Sequence, residues 1–466
     1  MGDLKAWVMI MQAALAAAWV IEQNHRQMML AAAILMADSS DEEIDENEDG
    51  NDHGGDEAEP KRKRQRTVSP RPDYNESEWG KLLKSDSLKD PISGDAKLFR
   101  KQFRVPYPFF LKLVKMVKEK EWFPRRSKDI AGQDCIPIEL KVLAALMVLS
   151  SGPCFDEISR MSLMSEPRAR DSFKTFCARC TSDLYRDWIR LPAGEDLEAA
   201  RRYYDLRGMT GAMGNVEIAH VAWPCAPCTH VRSHTDEYYA TLAYEVVLDH
   251  RGRVAGVTRG LPCAPFDETI ARHDETVRRV REDACYKSAT YTVYGADGSQ
   301  RTMEGLYLLC EGRYDEWKCM VGRIKTPRNM EEARFSRTVD GIRKESTSRG
   351  LDALKGRFQA LKLPVRYRKA ETVDSIFFAC CILHNMLQAF DDVEILEGGI
   401  SWAGPDGDHD PAMRDPKMDF SRKPPSLYVS PRPEMEYEEG YAERTNMLVE
   451  NLAYRTENEM VQRMIG

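Results

Sequence analysis

The feature that most constrains this chain is a change of apolar period along its length. Ile138–Leu149 is a dense apolar stretch with helical length, and a second runs from about Val373 to Phe390. Between them the pattern becomes strand-like. Val216, Ile218 and Val221 mark one strand, and Tyr239–Asp249 a second. The turn Asp249-His250-Arg251-Gly252 and a third strand over Val254–Thr258 follow, with a fourth over Gly305–Cys310. A helix is expected from about Met330 to Phe358. Asp267 suits the N-cap of another helix, running through Ile270 and Val277. Strands flanked by helices this apolar must be covered on their faces, so the expected class is α/β.

The strand-bearing part is preceded by a helical region, expected over 96–190. It contains two helices separated by a short break near Ser165-Glu166-Pro167, with Arg168, Arg170 and Lys174 on the second. That pair is either a helix-turn-helix or an ordinary helical subdomain with a basic face. After 395 a loop or linker rich in Pro, Gly and Asp leads to a last charged helix near 436–465.

The N-terminal part is different in kind. Residues 6–21 form an apolar run broken by Gln12, within an apolar segment 1–36. The run is short of the roughly 20 residues of a membrane span, so a helix packing on a partner or on the body is expected, and no membrane role. Residues 37–72 hold an acidic tract expected to be disordered, followed by Lys61-Arg62-Lys63-Arg64-Gln65-Arg66. A basic run in such a setting suits nuclear import. The net charge of −8 conceals this division. Residues 1–60 hold 14 Asp and Glu against 2 Lys and Arg, and the remainder 61 against 65, a net of +4. A mildly basic body is compatible with a nucleic-acid partner. Twelve cysteines in a chain of 466 do not form a disulfide framework.

Several motifs in order resemble the PIF/Harbinger-type DNA transposases. They are Leu98-Phe99-Arg100-Lys101-Gln102-Phe103-Arg104-Val105-Pro106-Tyr107-Pro108, Trp122-Phe123-Pro124, Leu354-Lys355-Gly356-Arg357-Phe358 and, most specifically, Phe377-Phe378-Ala379-Cys380-Cys381-Ile382-Leu383-His384-Asn385-Met386-Leu387. The resemblance implies an RNase H-like nuclease domain over 205–394. It also implies two Asp and one Glu that hold Mg²⁺ or Mn²⁺, with transposon-end or genomic DNA as substrate. Paired metals roughly 3.5–4 Å apart activate the attacking oxygen and stabilise the leaving one.

This chain departs from that pattern at each acid. Glu217 stands at the first Asp position, with His220 retained, and Glu311 at the second. The third acid falls at Ser348, or at Thr347 with a shift of one residue. Glu345 and Asp352, one helical turn to either side of Ser348, are the candidate substitutes that would complete a Glu217, Glu311, Glu345 or Glu217, Glu311, Asp352 set. The resulting expectation is a transposase with impaired catalysis. The alternative is a domesticated nuclear DNA-binding or adaptor protein, with a partner protein and no nuclease activity. Cys177/Cys180 and Cys225/Cys228, with His230 and His234, pair as zinc ligands or as packing cysteines. Basic residues from Arg323 to Lys369 form either a solvated helix face or a phosphate track.

Overall fold

The computed structural model describes residues 72–124, 128, 134–226, 241–262, 274–311, 317–390 and 438–465, all within one compact unit, Ser69–Gly466. The acidic tract, the Lys61–Arg66 run, Asp267 and the linker after 395 lie outside the described residues.

Seven helices precede the sheet among the described residues: α1 (Glu78–Leu83), α2 (Gly94–Phe103), α3 (Tyr107–Glu119), α4 (Ile138–Ser151), α5 (Phe155–Ser162), α6 (Glu166–Trp188) and α7 (Glu195–Asp205). Their ends follow local chemistry. The Ser93 side chain caps α2 by accepting from Ala96 N at 3.1 Å, and Pro106-Tyr107-Pro108 fixes the start of α3. Between α5 and α6 the chain turns at Leu163, whose φ of 61° closes α5. Helix α6 then buries Ala169, Phe173, Phe176, Cys177, Cys180 and Leu184 along one stripe.

The central sheet has the order β3–β2–β1–β7–β8, with β4 (Leu261–Pro262) also beside β2. Strands β1 (Ala212–Ala222), β2 (Thr241–Leu248) and β3 (Val254–Val257) form an antiparallel meander. β7 (Tyr307–Cys310) and β8 (Met320–Gly322) continue it in parallel with β1. Helices α8 (Glu275–Glu282) and α9 (Ala284–Lys287) precede a separate hairpin of β5 (Thr290–Tyr294) and β6 (Gln300–Glu304). The cap of α8 is Asp274, which accepts from Thr276 N at 2.7 Å.

After the sheet come α10 (Met330–Thr347), a π-helical turn (Ser348–Asp352), α11 (Ala353–Arg357), α12 (Ala370–Phe390) and α13 (Tyr441–Ile465). The expected helix from 330 to 358 is therefore interrupted where the π turn meets the sheet. A Cβ on Gly350 would come within 2.6 Å of the Leu248 side chain, so a larger residue there would have to push that leucine aside for the helix to approach β2.

Two cores sandwich the sheet. Ala219, Val221, Tyr244 and Val246 pack with α4, α6 and α12. Val216, Val247 and Ala255 pack with Val277 and Val280 of α8. Helices α1–α6 thus share one core with α12, while Leu197 and Tyr204 of α7 lie in the other. Helix α12 is long and apolar enough to cross a membrane, but most of it is buried here.

The most specific motif has a structural role in this arrangement. Asn385 accepts from Val254 N at 2.9 Å and donates to Val254 O and Trp188 O, both at 2.8 Å. His384 donates from Nε2 to Gly252 O at 3.2 Å. Together they tie α12 to the turn before β3 and to the end of α6.

Candidate functional site

Glu217 lies in the middle of β1, on the same side of the strand as Asn215 and Ala219. The parallel register pairs Asn215 with Leu309. β7 ends one residue before Glu311, so Glu311 lies just past the strand that runs beside β1. Burial and Arg343 act on the Glu217 carboxyl more strongly than the Glu311 charge does.

The third side of the site is α10, and it contributes a cation. Arg343 Nη2 lies 2.9 Å from Glu217 Oε2, and the two side chains are 12% and 13% exposed. Burial pushes the Glu217 carboxyl above its ordinary range, with Arg343 and Thr347 opposing that shift. Thr347 follows one turn after Arg343 on the same face. Its hydroxyl proton can go to Arg343 O at 3.0 Å or to the Glu217 carboxylate beside it. The second carboxylate oxygen, Oε1, is buried without a hydrogen-bond partner among the described residues, as is Nε of Arg343. The ion pair is single-ended, not a bidentate fork, so it leaves part of each charge uncompensated.

The proposed substitutes for the third acid sit elsewhere. Glu345 is two residues from Arg343, which is roughly 200° around the helix. It pairs with Arg349 and, at 3.6 Å, with Arg207. Asp352 is exposed on the π-helical turn, and Ser348 is exposed as well. Thr347 is the residue that faces Glu217, so the one-residue shift describes the geometry at this position.

Whether these residues suit a divalent ion follows from the donor set. Hard cations take oxygen ligands, and several carboxylates usually share the charge. Here the partner of Glu217 is a guanidinium, which repels a metal ion and already takes one carboxylate oxygen. No group of three His, Cys, Asp or Glu side chains is placed to hold a metal among the described residues. The site as built does not fit the metal pair that the resemblance implies.

His220, on the same strand, is held neutral. Burial first, and then Lys355, lowers its pKa to about 4. Cys177 and Cys180 are buried in the core of α6, and burial raises both thiols. They pack with the Cys380 and Cys381 pair of α12. Cys225 is half-buried, while Cys228, His230 and His234 lie outside the described residues.

The basic run divides. Arg343 and Arg357 turn inward, Arg328 pairs with Glu332 at 2.7 Å, and Arg323 with Asp340 at 3.7 Å. Arg366, Arg368 and Lys369 stay exposed. They meet the basic side of α6, because Tyr367 stacks on Phe173 at 6.2 Å and Lys174 Nζ lies 5.7 Å from the Tyr367 ring centre. Arg168 and Lys174 are both exposed on α6, roughly 120° apart around the helix. Lys174 is the one that lies beside the 366–369 segment, through Tyr367.

A family model described as plant transposon protein matches residues 186–394, the segment that carries β1, β7, α10 and α12. No curated protein and no solved structure matches the chain.

Proposed function

We propose, from the premise that residues 186–394 are of the plant transposon protein kind, that this chain descends from a transposase and binds DNA without cutting it. The observation that carries this reading is the buried Arg343–Glu217 pair, which puts a positive side chain where strand cleavage needs metal. The sheet suits an RNase H-like domain, with an antiparallel meander followed by two parallel strands.

DNA binding is supported by the exposed cations Arg366, Arg368 and Lys369, which flank or follow Tyr367, and by Lys174 beside that ring. Clustered exposed cations neutralise phosphates and release counterions, which makes affinity fall with salt. The nucleus is the compartment that fits this partner and the Lys61–Arg66 run.

The test is retention of duplex DNA by the full chain over a salt series, beside a Lys174→Glu/Arg368→Glu variant. We expect salt-sensitive retention, and a log–log salt slope smaller by about 2 in the variant. No retention at low salt, or a variant indistinguishable from the native chain, overturns the reading.

A further inference from the structure

We infer that Arg343 is a built-in cation that takes over the charge-balancing task of a metal ion, so that the Glu217–Glu311 pair is closed to divalent cations in the native chain. The inference rests on the transposase descent proposed above, but it concerns how the altered site is held together.

Three observations carry it. Glu311 follows directly on β7, the parallel neighbour of β1, and its negative charge is felt at Glu217 in the middle of β1. Such a pair repels itself unless a positive charge lies nearby. Arg343 supplies that charge at 2.9 Å, from a side chain only 12% exposed. It reaches the site from α10, where Asn329 caps the first turn by accepting from Glu332 N at 2.8 Å. Phe335, Val339 and Ile342 anchor the same helix in the core. The guanidinium is therefore fixed by a packed helix and not by a mobile loop. Finally, Thr347 presents a neutral hydroxyl one turn further on, where a third carboxylate would have drawn in a metal. A neutral hydroxyl in that place and a cation beside Glu217 both lower the site's demand for an external positive ion.

The experiment is thermal unfolding of the full chain in EDTA and in millimolar Mn²⁺. The variants are Arg343→Met, Arg343→Lys, Glu217→Gln and the double Glu217→Gln/Arg343→Met. The native protein should melt at the same temperature in both solutions. Arg343→Met leaves the Glu217 carboxylate without its cation and should melt about 4–6 °C lower in EDTA. Mn²⁺ should restore part of that loss saturably, because the metal enters the place the guanidinium left. The double variant should lose the Mn²⁺ response. Arg343→Lys keeps the charge and should ignore Mn²⁺.

A saturable Mn²⁺ stabilisation of the native protein that disappears in Glu217→Gln overturns the inference, since the site then takes a metal beside Arg343. An Arg343→Met protein that folds and ignores Mn²⁺ also overturns it. Where Arg343→Met does not fold, the native and Arg343→Lys proteins decide between these outcomes. DNA retention plays no part in any arm, so failure here is distinct from failure of the DNA-binding reading.

Discussion

Replacing Asn385 by Ala should cost the fold more than any change at its surface. Asn385 is 2% exposed and makes three hydrogen bonds to backbone groups. Its loss strands Val254 N–H, Val254 O and Trp188 O, and opens a small cavity between α12, β3 and the end of α6. Each stranded buried group costs about 1–3 kcal/mol, so a loss of about 4 kcal/mol is expected. In urea, with a slope of about 3 kcal/mol/M, the midpoint should fall by more than about 1 M. Asn385→Asp retains the acceptor for Val254 N but aims a carboxylate at two carbonyls. It should be at least as damaging as Ala despite its matching shape. A midpoint shift under about 0.3 M for Asn385→Ala would refute the view that this motif residue pins the sheet to the helices.

Other outcomes follow from the same contacts. Burial and Arg357 lower the pKa of His384 to about 3, and burial lowers that of His220 to about 4, both from 6.5. Each is neutral in the fold and charges on unfolding, so stability is full above pH 6.5 and is lost as pH falls toward these values. Near pH 5 the slope is about 1.4 kcal/mol per pH unit for each histidine. His384→Gln, compared with the native chain by urea melts from pH 7 to 4, should remove about one such increment. The raised carboxyls of Glu217, Asp274 and Asp374 act in the opposite direction and cancel in that difference. Arg444 of α13 is 5% exposed and donates to Gly305 O at 2.9 Å, Lys318 O at 2.8 Å and Glu304 O. Arg444→Met should destabilise by about 3 kcal/mol and speed amide exchange along α13 ahead of the sheet. Glu345→Gln, at a site 36% exposed, should change stability by less than about 1 kcal/mol in the same melts.

The parts of the fold legible in the sequence are those with a strong apolar period. β1, β2, β3, β7 and α12 all begin and end within a few residues of the expected places. The β5–β6 hairpin was not legible, because Gln300–Glu304 is nearly all polar and exposed and carries no inward alternation. β8 was missed because three residues hold too little pattern. The described helix after β4 starts at Glu275 with Asp274 as its cap; the expected cap Asp267 lies outside the described residues.

At the site, Glu217 was legible as a strand position, because the apolar period of β1 survives a change of side chain. Arg343 could not be singled out. In sequence it is one of many basic residues, and its role arises only when α10 crosses β1, 126 residues away in the chain. Glu345 and Asp352 were placed one turn to either side of Ser348. Thr347 takes the inward direction instead, which rotates Glu345 away, and the π turn shifts the phase for Asp352.

The most direct measurement is a plasmid-nicking assay on the full chain, run with Mg²⁺ and with Mn²⁺ at a salt concentration where DNA is retained. We expect retained DNA with no more nicks than in a Glu217→Ala/Glu311→Ala control. Nicks that require both a divalent ion and Glu217 would contradict the proposal that this chain holds DNA and leaves it uncut.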